Sequence, residues 1–411
     1  MKINTGNGTT IPFIIVAALW SLSLGVDLPG LAVTPMLDRL DTLFPDATQL
    51  KVQMLSVLPN LLIIPFVLLS GRLSMSRHKT AVIIAGLSMY LLAGVLYLFS
   101  TTMDELIILS VLLGCGCGLV LPFSTGLVAD VFSGSARVRQ MGIISGIGNG
   151  ALVVATFVVG VLATIDWHLP FLVYLLPVVS LALMPWIKKA TVLPTPDDKT
   201  FADGVTPPEG ARTVEGFYLG RASGLVLSYF FFMYVVGVVP YYGPYLMTAD
   251  RLDTTEIGAV IAVLYLGMFL SGMSLSWILR RCRQFSYVVA CGLMVAGVAG
   301  FIVFHSMTLY CVCALLIGSG GGIVQPVIYD KATSIVNSPQ RATLAMSVVL
   351  AANYLALSLL PEINDGLAGL LGCKGEMFPF VSVLIAVAVV MVVALWQRRR
   401  FVFAIEPAYY E

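Results

Sequence analysis

Apolar residues run along this chain in long, nearly unbroken blocks, without the period-2 alternation of a barrel strand. Twelve blocks stand out: Ile11–Leu37, Val52–Leu69, Thr80–Phe99, Leu106–Val131, Met141–Ile165, Leu169–Ile187, Gly224–Met247, Ile257–Leu279, Tyr287–Phe304, Leu309–Val336, Ala342–Leu371 and Met377–Trp396. Each is about 18 residues or longer, roughly what a helix needs to cross ~30 Å of hydrocarbon. A helix of this kind closes its own backbone hydrogen bonds, so the pattern predicts twelve membrane-spanning helices.

Composition agrees. Of 411 residues, 58% are hydrophobic and 11% charged, against about a quarter charged in a soluble domain. Lys2 precedes the first block as in a secretory signal, but the block is too long for one and no small-residue cleavage site follows; it is expected to be retained. The net charge of +1 argues against a nucleic-acid partner. With both ends on the cytoplasmic side, 19 of the lysines and arginines fall inside and 4 (Arg39, Lys51, Arg251 and Lys374) outside, which accounts for all 23. The alternation supports both the count and the orientation. The stretch after the sixth block, rich in Pro, Gly and Asp, reads as a flexible linker. The expected organisation is a bundle over 1–187, a cytoplasmic linker over 188–223, and a second bundle over 224–411 with a short tail.

The two bundles look related. GCGCGLVLP (Gly114–Pro122) and GSGGGIVQP (Gly318–Pro326) match at an offset of 204, which continues without a gap to Arg137/Arg341 and Asn149/Asn353. The shared residues are mostly glycines and prolines, which set how closely helices approach and where they bend. The fold class read from this is an all-α polytopic membrane protein with twelve transmembrane helices in two pseudo-symmetric six-helix bundles.

This architecture resembles the major facilitator superfamily. GRLSMSRHKT (Gly71–Thr80) is similar to that family's signature loop after its second helix: Gly71, Arg77 and Lys79 are compatible, whereas Met75 stands where the loop's Asp belongs and His78 where its second Gly belongs. LRRCRQF (Leu279–Phe285) supplies the corresponding basic loop in the second half, and DWHLPF (Asp166–Phe171) is a familiar shape before the sixth helix. The resemblance implies a solute site near the midplane between the bundles, lined mainly by the first, fourth, seventh and tenth spans, with help from the second, fifth, eighth and eleventh.

Polar residues in those spans are costly in lipid and are candidates for function. Asp27, in LGVDLPGLAV, is read as the only acidic residue well inside a span; on a continuous helix it would sit about 24 Å from Ile11 and about 14 Å from Met36. A carboxyl held away from bulk water suits proton uptake and release, so Asp27 is the expected proton-coupling site; hydrogen bonding to a neighbouring helix, or support of the bend at Pro29, is the alternative. In the seventh span Phe230, Tyr234, Tyr241 and Tyr245 fall within about 60° of one another on a helical wheel. That face could stack an organic solute, or its tyrosines could anchor the membrane interface. Asn60, Asn149, Gln325 and Asn353 are expected either to hydrogen-bond the solute or to tie helices together. Gly71, Arg77, Lys79, Asp130, Arg137 and Arg341 lie at inner ends and are expected to make gate and loop contacts. The seven cysteines read as small packing residues, since the thiols of each Cys-x-Cys pair stand about 200° apart on a helix.

No phosphate loop, metal motif or nucleophile elbow occurs, so neither an ATP-driven pump nor an enzyme is expected. No cofactor or metal is expected; a proton gradient is the anticipated energy source, and the partners are a small-molecule solute and the lipid bilayer, with the chain a monomer. A secondary transporter that alternates access fits best. The first-span Asp resembles an acidic residue of drug/proton antiporters, although Ser110 stands where their fourth-helix arginine belongs and their Gly-Pro signature is missing from the fifth span. Efflux is therefore weighed slightly above uptake by symport, and a transporter-like receptor is the alternative of another class. With no basic residue read as deep in a span, a neutral, zwitterionic or cationic solute is expected. The anticipated location is a bacterial cytoplasmic membrane.

Overall fold

The computed structural model describes residues 2–6, 9–29, 44, 49–74, 79–192, 213–214, 216–336, 341–372, 375 and 377–405. A hairpin of β1 (Lys2–Asn4) and β2 (Thr10–Pro12) leads into α1 (Phe13–Ser21). Then follow α2 (Gln49–Leu73), α3 (Lys79–Tyr97), α4 (Met103–Val131), α5 (Gly134–Ile165), a 3-10 turn over Leu169–Leu175, α6 (Pro177–Ala182) and α7 (Met184–Thr191). A second hairpin, β3 (Thr213–Val214) with β4 (Phe217–Tyr218), precedes α8 (Leu219–Ala249). The remainder is α9 (Thr254–Met273), α10 (Leu275–Cys282), α11 (Ser286–Val303), α12 (Met307–Ala332), α13 (Ala342–Leu371) and α14 (Phe378–Trp396).

Among the described residues nine helices are long and apolar enough to cross a membrane, Leu275–Val303 counting as one. The sixth predicted span makes a bent pair, Leu169–Ala182 with Met184–Thr191, angled by 57°. Its breaks follow from Pro170, Pro177 and Pro185, each at the start of a helical piece, where the missing N–H costs nothing. The second span appears as the apolar Val57–Leu73 of α2, and α1 opens the first, so each of the twelve predicted spans has a counterpart.

The glycine repeat governs packing. A Cβ on Gly114 or Gly118 would lie 2.6 Å from Pro59 O or 2.9 Å from Ile63 O of α2, and one on Gly116 would lie 2.6 Å from Tyr90 N of α3. In the second half, Gly318 and Gly322 press in the same way on the Leu264 and Met268 carbonyls of α9, and Gly320 on Ala290 O of α11. Glycines two apart thus serve two neighbours at once, and do so identically in both halves. Capping boxes start α4 (Thr102 with Glu105) and α9 (Asp253 with Glu256), satisfying N–H groups that the first turn leaves free. Large apolar side chains such as Phe157, Leu227, Ile108 and Trp396 stay exposed on the periphery, as a lipid-facing surface requires.

The first span departs from expectation. Instead of one helix over Ile11–Leu37, helix stops at Ser21, and residues 22–28 form turns; residues 30–43 lie outside the described residues. Gly25 weakens the helix, and Pro29 offers no N–H and disfavours helical geometry at the preceding residue. The freed carbonyls are met by side chains from other helices: Ser180 donates to Ser21 O (2.9 Å), Tyr90 to Gly25 O (2.7 Å) and Cys117 to Val26 O (3.0 Å). Backbone irregularity at this depth is tolerated where protein supplies such partners.

Candidate functional site

Where the two halves meet, Ser23, Asp27, Ser124, Thr125, Ser145, Gln325 and Tyr329 line a cavity of about 20 Å³, with Val26, Leu121, Ile144 and Leu350. That is room for about one water molecule or small ion. Asp27 is half-buried on the rim of the break, and Tyr354 of α13, from the other half, donates to its Oδ1 (3.3 Å) and to Val26 O (3.4 Å). Opposite, Gln325 is the hub of a polar network: its amide donates to Tyr329 Oη (2.9 Å) and Tyr229 Oη (3.4 Å), and its Oε1 accepts from Ser145 Oγ (2.8 Å) and Asn149 Nδ2 (3.3 Å). Tyr229 and Tyr329 share a further bond of 3.0 Å. The network therefore runs from α5 of one half to α12 and α8 of the other.

The predicted site residues divide. Asp27, Asn149 and Gln325 come together where the halves meet, Asn149 and Gln325 tying α5 to α12. Asn353 is buried on α13 with Oδ1 lacking a hydrogen bond, unlike its repeat partner Asn149. Asn60 is half-buried on α2 and does not line the cavity. On α8, Phe230 stacks with Tyr234 (6.5 Å, 15°), and Tyr234 accepts from Asn364 Nδ2 (2.8 Å). Tyr241 is half-buried and Tyr245 is 62% exposed, so the aromatic face is graded from core to periphery. The side chain of α8 that reaches the central network is Tyr229, just off the predicted stripe. Tyr229, Tyr329, Tyr354, Ser23, Thr125 and Ser145 were missed by sequence reasoning; only the Gln325/Tyr329 spacing of four, one helical face, signalled any of them.

At the end of the bundle where the basic residues cluster, Lys79 Nζ pairs with Asp130 (3.1 Å) within one half, while Arg137 Nε pairs with Asp330 (2.5 Å) between α5 and α12. Asp330 is fully buried, and Glu362 and Asp365 also lie on α13, on its exposed face toward the other end. Asp27 is thus one of several carboxylates within the predicted spans; what sets it apart is that it borders the cavity between the halves. Lys331, in the last turn of α12, is buried as well, donating to Val402 O (2.7 Å) and facing the Tyr287 ring (4.7 Å), and it does not line the cavity. Gly71 belongs to the last turn of α2, where a Cβ would collide with the Ser347 side chain of α13; its visible role is close packing. Gly126 abuts Thr343, and Gly142 the Gly272 carbonyl, in the same manner. Arg341 precedes α13, half-buried, and Arg77 lies outside the described residues.

Two repeated helical halves closed around a buried polar seam define a polytopic α-helical membrane protein built on an internal repeat. The chain belongs to the Major Facilitator Superfamily, whose family model matches residues 5–361. It is 24% identical over 373 residues to an uncharacterised MFS-type transporter, YceJ of Bacillus subtilis (strain 168), covering 89% of this chain and 91% of that one. Among solved structures it is similar to the human organic anion transporter MFSD10 (TETRAN), with TM-score 0.65 at 15% identity over 92% of this chain and 97% of that one. It is likewise similar to the proton:xylose symporter XylE, with TM-score 0.67 at 13% identity over 94% and 95% of the two chains. At such identities the likeness concerns the fold.

Proposed function

We propose that this protein is a monomeric, proton-coupled secondary transporter that moves a small organic solute by alternating access, in the direction of efflux. The observation that carries this reading is the position of Asp27: a carboxyl on a helix break, facing a cavity between the halves, hydrogen-bonded by a tyrosine of the opposite half. Protonation removes its charge and alters the Tyr354 contact, which links proton occupancy to how the halves meet. Arg137–Asp330 and the glycine contacts act as the gate on the cytoplasmic side, and both termini lie on that side of a bacterial cytoplasmic membrane. A site with an acid and tyrosines but no basic group favours a neutral, zwitterionic or cationic solute over an anion. The graded aromatic face of α8 suits an amphipathic one, which is what supports efflux. Residues 188–223 serve as the linker between bundles 1–187 and 224–411.

The test is reconstitution into liposomes with an imposed pH gradient. Asp27→Asn should lose gradient-driven transport yet retain solute counterflow. Gradient-driven transport at the parent rate in that variant would overturn the reading, and a parent without counterflow of any solute it binds would be a receptor.

A further inference from the structure

The cavity beside Asp27 has features that proton transfer does not require. Ser23 Oγ and Thr125 Oγ1 are buried, line the cavity and have no hydrogen-bond partner. Unsatisfied buried hydroxyls are rare and point to a missing ligand. Asp27 adds a negative charge. The titratable groups that feel it come from every side: Tyr90 of α3, Cys117 of α4, Tyr229 of α8, Tyr265 of α9, Tyr329 of α12 and Tyr354 of α13. Neither these groups nor the cavity lining include a lysine, arginine or histidine. Among the described residues no basic group faces the acid, so a carboxylate there calls for a proton or a bound cation.

Space and polarity fit the second option. Gly148 leaves room beside the acid, because a Cβ there would lie 3.1 Å from Asp27 Oδ2 and 3.5 Å from Ser23 O. The α1 helix ends at Ser21, so the negative end of its dipole lies at the cavity. The polar lining is oxygen-rich, the ligand type of hard cations, and broken-helix carbonyls with hydroxyls are a recurring cradle for them. The volume, about 20 Å³, admits one small ion.

We propose that this cavity is a binding site for a monovalent cation of sodium size, held by the Asp27 carboxylate with the hydroxyls of Ser23 and Thr125. The cation and the proton compete for Asp27; the inference rests on the reading of that residue as the coupling group. The full-length protein in detergent at about pH 8.5, where a proton competes least, is melted in sodium, potassium or choline chloride at equal ionic strength. Sodium should raise the melting temperature saturably, with potassium and choline well below it. Ser23→Ala and Thr125→Ala should each raise half-saturating sodium about tenfold, and Thr125→Ser should restore it. Each variant's midpoint in choline verifies that it folds. No sodium-specific shift in the parent, or an unchanged sodium response in both alanine variants, would overturn the site and leave a water-filled cavity. Those outcomes leave proton coupling standing if Asp27→Asn still loses gradient-driven transport; a sodium shift in the parent with intact proton-driven transport in Asp27→Asn would overturn the coupling reading instead.

Discussion

The first and seventh spans open the two related halves, and they are built differently. The seventh, α8, is helical for 31 residues and absorbs Pro240 and Pro244 without breaking. The first keeps only nine helical residues before Gly25, Asp27 and Pro29 carry the chain through turns. Elsewhere the halves obey one rule, since Gly114, Gly116 and Gly118 contact α2 and α3 as Gly318, Gly320 and Gly322 contact α9 and α11. The comparison separates two features: glycine packing is held in common as scaffold, while the acid of the central cavity sits at the broken first helix of one half. The other half contributes the partners Tyr354, Gln325 and Tyr329.

Several substitutions break or sharpen this contrast. The largest effect belongs to the unshared feature, so Asp27→Asn should remove proton-driven transport altogether while the protein still folds, as judged by its melting curve. The shared scaffold should respond symmetrically. Gly116→Val and Gly320→Val each force a side chain against backbone of the adjacent helix, costing about 1–3 kcal/mol or more, and similar drops in melting temperature are expected; a large loss for one and none for the other would refute the equivalence of the halves. Arg137→Gln removes the cross-half ion pair to buried Asp330. Its expected cost is about 1–3 kcal/mol, read as faster labelling of cysteines placed on α5 and α12 from the basic end.

The smallest effect concerns the capping boxes. Backbone N–H groups of Thr101 and Thr102, helped by their hydroxyls and outweighing desolvation, hold the exposed Glu105 carboxyl below its usual value of 4.5. A lowered value means that its stabilisation is present above the unfolded pKa and lost as pH falls through the folded one. Glu105→Gln should therefore lower the melting temperature slightly at neutral pH and leave no difference from the parent in acid below that range.

Most of the fold was legible because lipid imposes a simple grammar: long apolar blocks, basic residues on one side, and glycines repeated at 204. Two things escaped. The break after Ser21 was hidden because apolar residues such as Leu22 and Leu28 continue across it, so hydropathy sees no interruption. The tyrosines around Asp27 come from five helices distant in sequence, and only tertiary packing decides which side chains of a uniformly apolar helix turn inward. Asp27 itself was visible because a lone acid in such a block is expensive. Asp330 was harder to read, since its cost is offset by Arg137, 193 residues away.

At the basic end the halves meet at Gly71 and Ser347, at Gly126 and Thr343, and at Gly142 and Gly272. At these three points a glycine meets a hydroxyl or a backbone carbonyl, so the surfaces there interlock little. Among the described residues Arg137–Asp330 is the ion pair that crosses this joint, like a bolt through a bearing. Changing the bolt's strength would then retune how often the carrier opens without reshaping what it carries.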